Sequence, residues 1–414
     1  MAEKRFYFIL HFILLHMDAG QAANSIGDPD YESPWRPLRS QNPGKASAVF
    51  KHKLGEVPLL VDVQVKSIED PNLGLSFPAI GGCPRDDDIE EQYGGVIYIY
   101  NDEEIIVSAP IMKNEYDGGM ALYTANNDYF AGPNNQSSHD VHVKTRAWKA
   151  ASLPAADFNK LGIFVQAGST DANRVYIEET HGFGEYPGLV RVRTELLNKV
   201  GYFSDAVGAN IVTVTLDPYS KPGYIVYGFN EQNVRVWVSS DPEGIIFQGN
   251  DGWDIPTQTT DGYLEIHAWK ADTLPAVIEK HSQLGPNVVD ENFEMPLTGT
   301  ANDMFVQVWA ESLNGSNAGY RFPGSGSLAY TETAQDATCT YGGLVYGYTL
   351  DMLRFWRPTD TINAGIICIS NGFGQGNNSQ REVDANVVVS VWTSGIRGTP
   401  EWEEIQYTCT HIVL

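Results

Sequence analysis

Residues 222–270 read PGYIVYGFNEQNVRVWVSSDPEGIIFQGNDGWDIPTQTTDGYLEIHAWK, and each piece of this stretch recurs upstream and downstream. The first piece, PGYIVYGFNEQNVRVWVSSD, matches YGGVIYIYNDEEIIVSAP from Tyr93 and YGGLVYGYTLDMLRFWRPTD from Tyr341. The second, GIIFQGNDGWD, matches ALYTANNDYF from Ala121 and GIICISNGFG from Gly365. The third, DGYLEIHAWK, matches SHDVHVKTRAWKA from Ser138 and DANVVVSVWTSG from Asp384. Within the first piece, Tyr224 and Val226 alternate with Ile225 and Tyr227. After the turn FNEQN, Val234, Val236 and Val238 alternate with Arg235 and Trp237. A period of two on either side of an Asn-containing turn marks a β-hairpin. The last strand of each copy ends on Trp148, Trp269 or Trp392, 121 and 123 residues apart, so the copies are of nearly equal length.

Working outward, each copy opens on a strand: PLLVDVQV near Val61, PGLVRVRT near Val190 and DMFVQVWAES near Val306. A shorter element follows it, NLGLSFPAIG, KVGYFSDAVG or NAGYRFPGSG. About six strands per copy, with turn signals every 8–12 residues, predict an all-β chain. Its fold class is three tandem antiparallel β-sandwich units, jelly-roll-like, of about 110–120 residues. The units are read as 46–154, 155–275 and 276–398, the latter two each with a connector at its start. Segments of this size can bury a core of their own, which predicts beads on a string. The connectors, DFNKLGIFVQAGST and VIEKHSQLGPNVVD, read either as linkers or as a first strand of the unit they precede. Residues 23–45, rich in Pro, Ser, Asp and Asn, read as an extended leader that Trp35 pins to the first unit; 399–414 form a tail or final strand.

Lys4 and Arg5 precede the apolar run FYFILHFILLHM and then DAGQAA, the pattern of a secretory signal peptide over residues 1–22. No later segment has the length and apolarity of a membrane span. The expected location is therefore secreted and extracellular. Four cysteines, Cys83, Cys339, Cys368 and Cys409, fit an oxidising compartment without the density of a cysteine-stapled miniprotein. Cys368 falls inside an apolar strand and reads as a buried free thiol. Cys339 in a loop and Cys409 in the tail are the expected disulfide. The formal net charge of −25 argues against nucleic acid and anionic membranes as partners. It is compatible with cations, basic proteins or a calcium-rich exterior, while the simpler reading is that acidity keeps a secreted protein soluble.

The opening FKHKLGEVPLLVDVQV, with aromatics before a Pro and alternating Val, resembles the strand pattern of H-type lectin domains. The closing strands VKTRAWKA and LEIHAWKA resemble that family's Trp-Ala strand, although Thr393 replaces Lys in the third copy. The resemblance covers about two strands per unit, implies a lectin-like β-sandwich fold in three copies, and carries over no binding residues.

Nucleophilic catalysis has no signature here. The one Ser-Gly cluster, PGSGS at 323–327, lacks the G-x-S-x-G order and sits in a turn. His139 and His142 are three apart, which on a strand puts them on opposite faces, unlike a helical metal pair. No acidic position recurs in all three units, so no triplicated glycosidase pair emerges, although dispersed carboxylates leave glycan degradation open. The densest acidic run, DDDIEE at Asp86–Glu91, lacks the ligand order of an EF-hand; it reads as a loose calcium patch or a solvated loop. No cofactor is expected, with calcium as the one alternative.

The candidate ligand loops follow the second piece of each copy: Asn126, Asn127, Asp128 and Tyr129; Asn250, Asp251 and Trp253; Asn371 and Phe373. Aromatic faces stack on the C–H faces of sugars while Asn and Asp orient hydroxyls. The competing reading is that Asn starts the turn and the aromatic plugs the end of the sandwich. Glycosylation sequons stand at Asn135, Asn314 and Asn377; the second unit has none, which singles out Trp253. These features predict a secreted, non-enzymatic recognition protein that binds carbohydrate or an extracellular glycoprotein through loop tips. The alternative is a structural matrix, coat or adhesive protein that assembles through its units as a homo-oligomer, with an unpaired Cys83 available for a bridge.

Overall fold

The computed structural model describes residues 26–82, 93–111, 118–124, 130–209, 223–250, 252–276, 278–285, 294–297, 303–327, 338–359 and 362–393. Nearly all regular structure in them is β, with a single four-residue α-helix at Ala172–Val175. The antiparallel all-β class is as the alternating patterns predict. Strand pairing, however, does not stop at the unit boundaries.

Three large sheets repeat one strand order. In the second sheet the order is Phe158–Gln166, Asp261–Lys270, Pro187–Leu196, Phe203–Asp205, and then Ile97–Tyr100, Glu104–Ser108 and Ser47–Lys51. The first four strands belong to the second unit and the last three to the first. The third sheet joins Ile278–Leu284, Ala385–Thr393, Met304–Ser312 and Arg321–Pro323 of the third unit to Val226–Phe229, Asn233–Trp237 and Tyr176–Thr180 of the second. The first sheet closes the cycle. Arg36–Arg39, Asp140–Trp148, Leu60–Ser67 and Ser76–Pro78 of the first unit meet Val345–Tyr348, Met352–Pro358 and Glu294–Pro296 of the third. Each hairpin therefore extends the sheet of a neighbouring unit, and the three units form a closed ring. Both connectors contribute a strand, and the leader contributes two, Tyr31–Glu32 and Arg36–Arg39.

Side-chain volume fits this exchange. Gly347 on the third hairpin faces the Phe77 ring of the first unit, and Gly228 on the second faces Phe322 of the third. At the corresponding register on the first hairpin stands Ile99, and on the strand it joins stands Ser204 instead of Phe. Where the hairpin is large the receiving strand is small, and the reverse holds. Around the ring, Gly81, Gly208 and Gly326 lie against the backbones of Asp205, Pro323 and Pro78, respectively. A Cβ at any of them would overlap a carbonyl oxygen of the next unit.

The core ignores the unit boundaries too. One apolar cluster contains Val61 and Trp148, Val190 and Trp269, and Phe305 and Trp392. Each closing tryptophan is fully buried and donates its indole N–H to a carbonyl of the preceding segment: Trp148 to Gly27, Trp269 to Pro154 and Trp392 to Leu274, at 3.1, 2.8 and 3.1 Å. Beads on a string are thus replaced by cores shared across units, this one and a second that joins Tyr224, Val226 and Trp237 of the second unit to Val308 and Phe322 of the third. The reason is that the hairpin strands, such as Ile97–Tyr100, are apolar on both faces and need cover that one unit cannot supply.

Where the three units meet, a small cavity of about 60 Å³ is lined by Asp62, Arg191, Asp205, Tyr98, Tyr227, Tyr346 and Gln307. Arg191 pairs there with Asp205, which also accepts from the hydroxyls of Tyr98 (2.5 Å) and Tyr100 (3.1 Å). A buried carboxylate so fully satisfied fixes geometry and leaves nothing over for a ligand.

The cysteine pairing differs from expectation. Cys339 bonds to Cys368, with Cα atoms 5.5 Å apart, so Cys368 is not a free thiol. Ala364–Gly365, just before Cys368, pairs with Tyr341–Gly342, just after Cys339, which brings the two cysteines within disulfide reach. Cys83, Cys409, the acidic run 86–91 and the expected signal peptide over residues 1–22 lie outside the described residues.

Candidate functional site

The second and third of the predicted ligand loops do not present aromatic faces. Trp253 is 1% exposed and Phe373 is 2% exposed. Trp253 bridges to Pro110 of the first unit and meets the edge of Tyr93; Phe373 bridges to Ser239 of the second and stacks on Tyr224 at 5.8 Å. The matching position in the first unit is Phe130, fully buried against Tyr341 and paired with Pro358 of the third unit. These aromatics wedge each unit into its neighbour, so Trp253 and Phe373 are corrected from ligand platforms to interlocks. Asn250 and Asn371 are exposed beside them, while Asn126, Asn127, Asp128, Tyr129 and Asp251 lie outside the described residues. Of the sequons, Asn314 and Asn377 are exposed and Asn135 is half-buried. Among the described residues no group of three His, Cys, Asp or Glu side chains is placed to hold a metal ion. Nor is any helix among them long and apolar enough to cross a membrane.

What breaks the threefold pattern is the seam where the third hairpin joins the first unit. In the second unit, position 193 is an arginine that fills its seam. It donates to the carbonyl of Pro58 at 2.6 Å, pairs with Glu265 at 2.8 Å and covers the Phe203 ring. In the third unit, Trp309 fills the matching space, packed edge-on to Phe229 at 5.0 Å. Strand register places Gln64 at this position in the first unit. With the smaller side chain, a cleft of about 820 Å³ opens, lined by Trp35, Gln64, Lys66, Lys144, Asp303, Tyr348 and Asp351 among others. That volume is in the range of small-ligand sites.

The sequence builds this cleft from four segments. Gln64 and Lys66 alternate with Val63 and Val65 on the opening strand, so the valines enter the core while the polar side chains face the cleft. Lys144 sits opposite Gln64 on the closing strand. Trp35 lies where the leader leaves its pairing at Glu32 and resumes it at Arg36, an irregularity matched by the bulge between Lys160 and Ile163 in the second unit. The third unit supplies Asp303, Tyr348 and Asp351 from its opening strand and hairpin turn.

A chain of ion pairs fixes the floor. Asp62 accepts from Arg146 at 2.7 Å, Arg146 reaches Asp303 at 2.9 Å, and Lys144 joins Asp303 at 3.2 Å and Glu32 at 2.8 Å. Gln64 donates to the Tyr348 hydroxyl at 3.1 Å. Lys66 stands outside this chain: its Nζ lies 4.0 Å from the Trp35 ring centroid, and Lys144 approaches the same ring at 5.7 Å. Burial, and then the neighbouring Lys144 charge, hold the Lys66 ammonium below its usual pKa, with Asp303 opposing them. Two ammonium groups on one indole make a cation–π arrangement in which the ring is both wall and partial counter-charge. Such a set of groups can bind and orient a polar ligand.

Sequence reading missed Lys66, Lys144 and Asp303 because it looked for positions shared by all three copies. The signal lay in a difference, Gln64 against Arg193 and Trp309. No protein-family model, curated protein or solved structure matches the chain.

Proposed function

We propose that this is a secreted, non-enzymatic carbohydrate-recognition protein whose single ligand seat is the Trp35 cleft, not the loop tips. The observation that carries this reading is a half-buried tryptophan lining an open cleft beside amide, ammonium, phenol and carboxylate groups. That mixture suits a sugar, which offers C–H faces to an aromatic and hydroxyls to donors and acceptors. Secretion is supported by the N-terminal apolar segment and by the Cys339–Cys368 disulfide. Because two of the three seams are filled, one chain binds one ligand and gains no avidity from its triplication.

Glycan-array screening followed by titration calorimetry tests this. Binding at one site per chain, weakened about tenfold or more (roughly 1.4 kcal/mol) by Trp35→Ala, is expected. Absence of glycan binding, together with concentration-dependent oligomers in light scattering, favours the structural matrix or coat reading instead.

A further inference from the structure

Resting on that reading, we infer that the ligand is an acidic saccharide, whose carboxylate or sulfate is received by Lys66 at the Trp35 cleft. The argument begins with pairing. Among the described residues, the other cations around the cleft floor, Lys144 and Arg146, each contact two carboxylates. No carboxylate of the described residues lies within ion-pair distance of Lys66, although it is half-buried and the chain holds 52 acidic residues against 27 Lys and Arg. In a chain this acidic, pairing an ammonium is easy, so leaving one with only an indole for a partner reserves its donors for something else.

The symmetry sharpens the point. Strand register aligns Lys66 with Glu195 and Glu311 at the two filled seams, and both of those have internal partners. Glu311 pairs with Arg321 at 2.9 Å, and Glu195 accepts from the Gly201 N–H at 3.0 Å. Only at the open seam is the carboxylate replaced by a cation, and only there is the cation unpaired. Among the described residues, the charged and aromatic groups that line the cleft with Lys66 are Lys144 and Trp35 of the first unit, and Asp303 and Asp351 of the third. Asp303 is already shared between Arg146 and Lys144, and Asp351 accepts from the Thr349 hydroxyl at 2.6 Å. At physiological ionic strength the field of more distant carboxylates is screened beyond about 8 Å, so the local contact decides.

Three probes with one sugar skeleton separate the possibilities: tetragalacturonate, its carboxyl-reduced neutral product, and a sulfated tetragalactoside. Calorimetry on the full chain should show tetragalacturonate or the sulfated probe binding about tenfold to a hundredfold more tightly than the neutral one. The probe that gains identifies the anion. Lys66→Met keeps the aliphatic packing on Trp35 and should erase that preference, whereas Lys66→Arg should retain most of it. Equal affinity for acidic and neutral probes, with both lost in Trp35→Ala, overturns the inference and leaves the carbohydrate reading standing. A preference that survives Lys66→Met also overturns it. Failure of all three probes and of the glycan array overturns the carbohydrate reading itself.

Discussion

Replacing Gly208 by alanine tests whether the ring is one cooperative body. The added Cβ would overlap the carbonyl oxygen of Pro323 in the next unit, and the obstacle is backbone, which cannot rotate away as a side chain would. Overpacking in a tight core costs about 1–3 kcal/mol, and a clash against fixed backbone sits at the top of that range. For a chain this long, with an unfolding entropy of about 0.8 kcal/mol/K, a loss of about 3 kcal/mol lowers the melting temperature by about 4 °C. Scanning calorimetry is the assay. In a closed ring the whole endotherm moves, because the second and third units share a sheet and the third shares one with the first. Gly81→Ala and Gly326→Ala should behave alike, since their clashes are with the matching atoms of Asp205 and Pro78. An endotherm that splits, leaving two-thirds of its area at the wild-type temperature, would refute the shared core. So would a shift below about 1 °C for all three variants.

Other predictions concern single contacts. Gly347→Ile should destabilise by about 1–3 kcal/mol through collision with Phe77, and adding Phe77→Ser should recover part of the loss by recreating the Ile99–Ser204 combination; urea melts of the single and double variants check this. Trp253→Ala should cost about 3–5 kcal/mol in the same assay while leaving glycan affinity per folded molecule unchanged. Cys339→Ala removes a cross-link closing a 29-residue separation and should cost about 3–4 kcal/mol in urea melts. His52 and His181 each accept a backbone N–H at Nδ1, from Leu54 and Phe183, and meet a carbonyl at Nε2, of Asn101 and Asn230, so each is held as the neutral ring. Burial lowers both pKa values below 6.5. Their contribution is therefore complete above pH 6.5 and lost as the pH falls from there through the lowered folded pKa. Unfolding midpoints between pH 7.5 and about 5 should fall, and the slope should flatten in the His52→Ala/His181→Ala double variant.

Much of the fold could be read from the chain because its signals are local. Alternation in LVDVQV or NVRVW, the Asn-bearing turns and the closing tryptophans all became strands, hairpins and buried plugs. Which strand a hairpin joins is not a local property. Ile97–Tyr100 has the same alternation whether it pairs with Ser76–Pro78 of its own unit or with Phe203–Asp205 of the next. The size exchange between Gly347 with Phe77 and Ile99 with Ser204 did record the answer, but only for a reader comparing copies in pairs. The site failed for a related reason: repetition drew attention to Trp253 and Phe373, which recur because every seam needs a wedge. Lys66 and Gln64, which mark the cleft, are where the repetition lapses. Cys339 with Cys409 was expected from loop position alone, without knowing which strands become neighbours.

The backbone N–H of Ile26 meets the carbonyl of Thr393 at 3.2 Å, so the beginning of the described chain rests where its third unit finishes. Gly27 then receives the Trp148 indole as Pro154 receives that of Trp269, which makes this meeting point equivalent to the passage from the first unit into the second. The three passages from one unit to the next are thus alike in this contact, as the Trp392 indole on the Leu274 carbonyl completes the set. A circularly permuted gene, joined between residues 393 and 26 and opened near Ala155, should keep the three shared sheets, which strand content by circular dichroism and a single melting transition would check. So should three separately expressed thirds, which would find one another as a heterotrimer. Covalent continuity keeps the one differing seam at a fixed stoichiometry of one in three, which a homotrimer of identical thirds could never do.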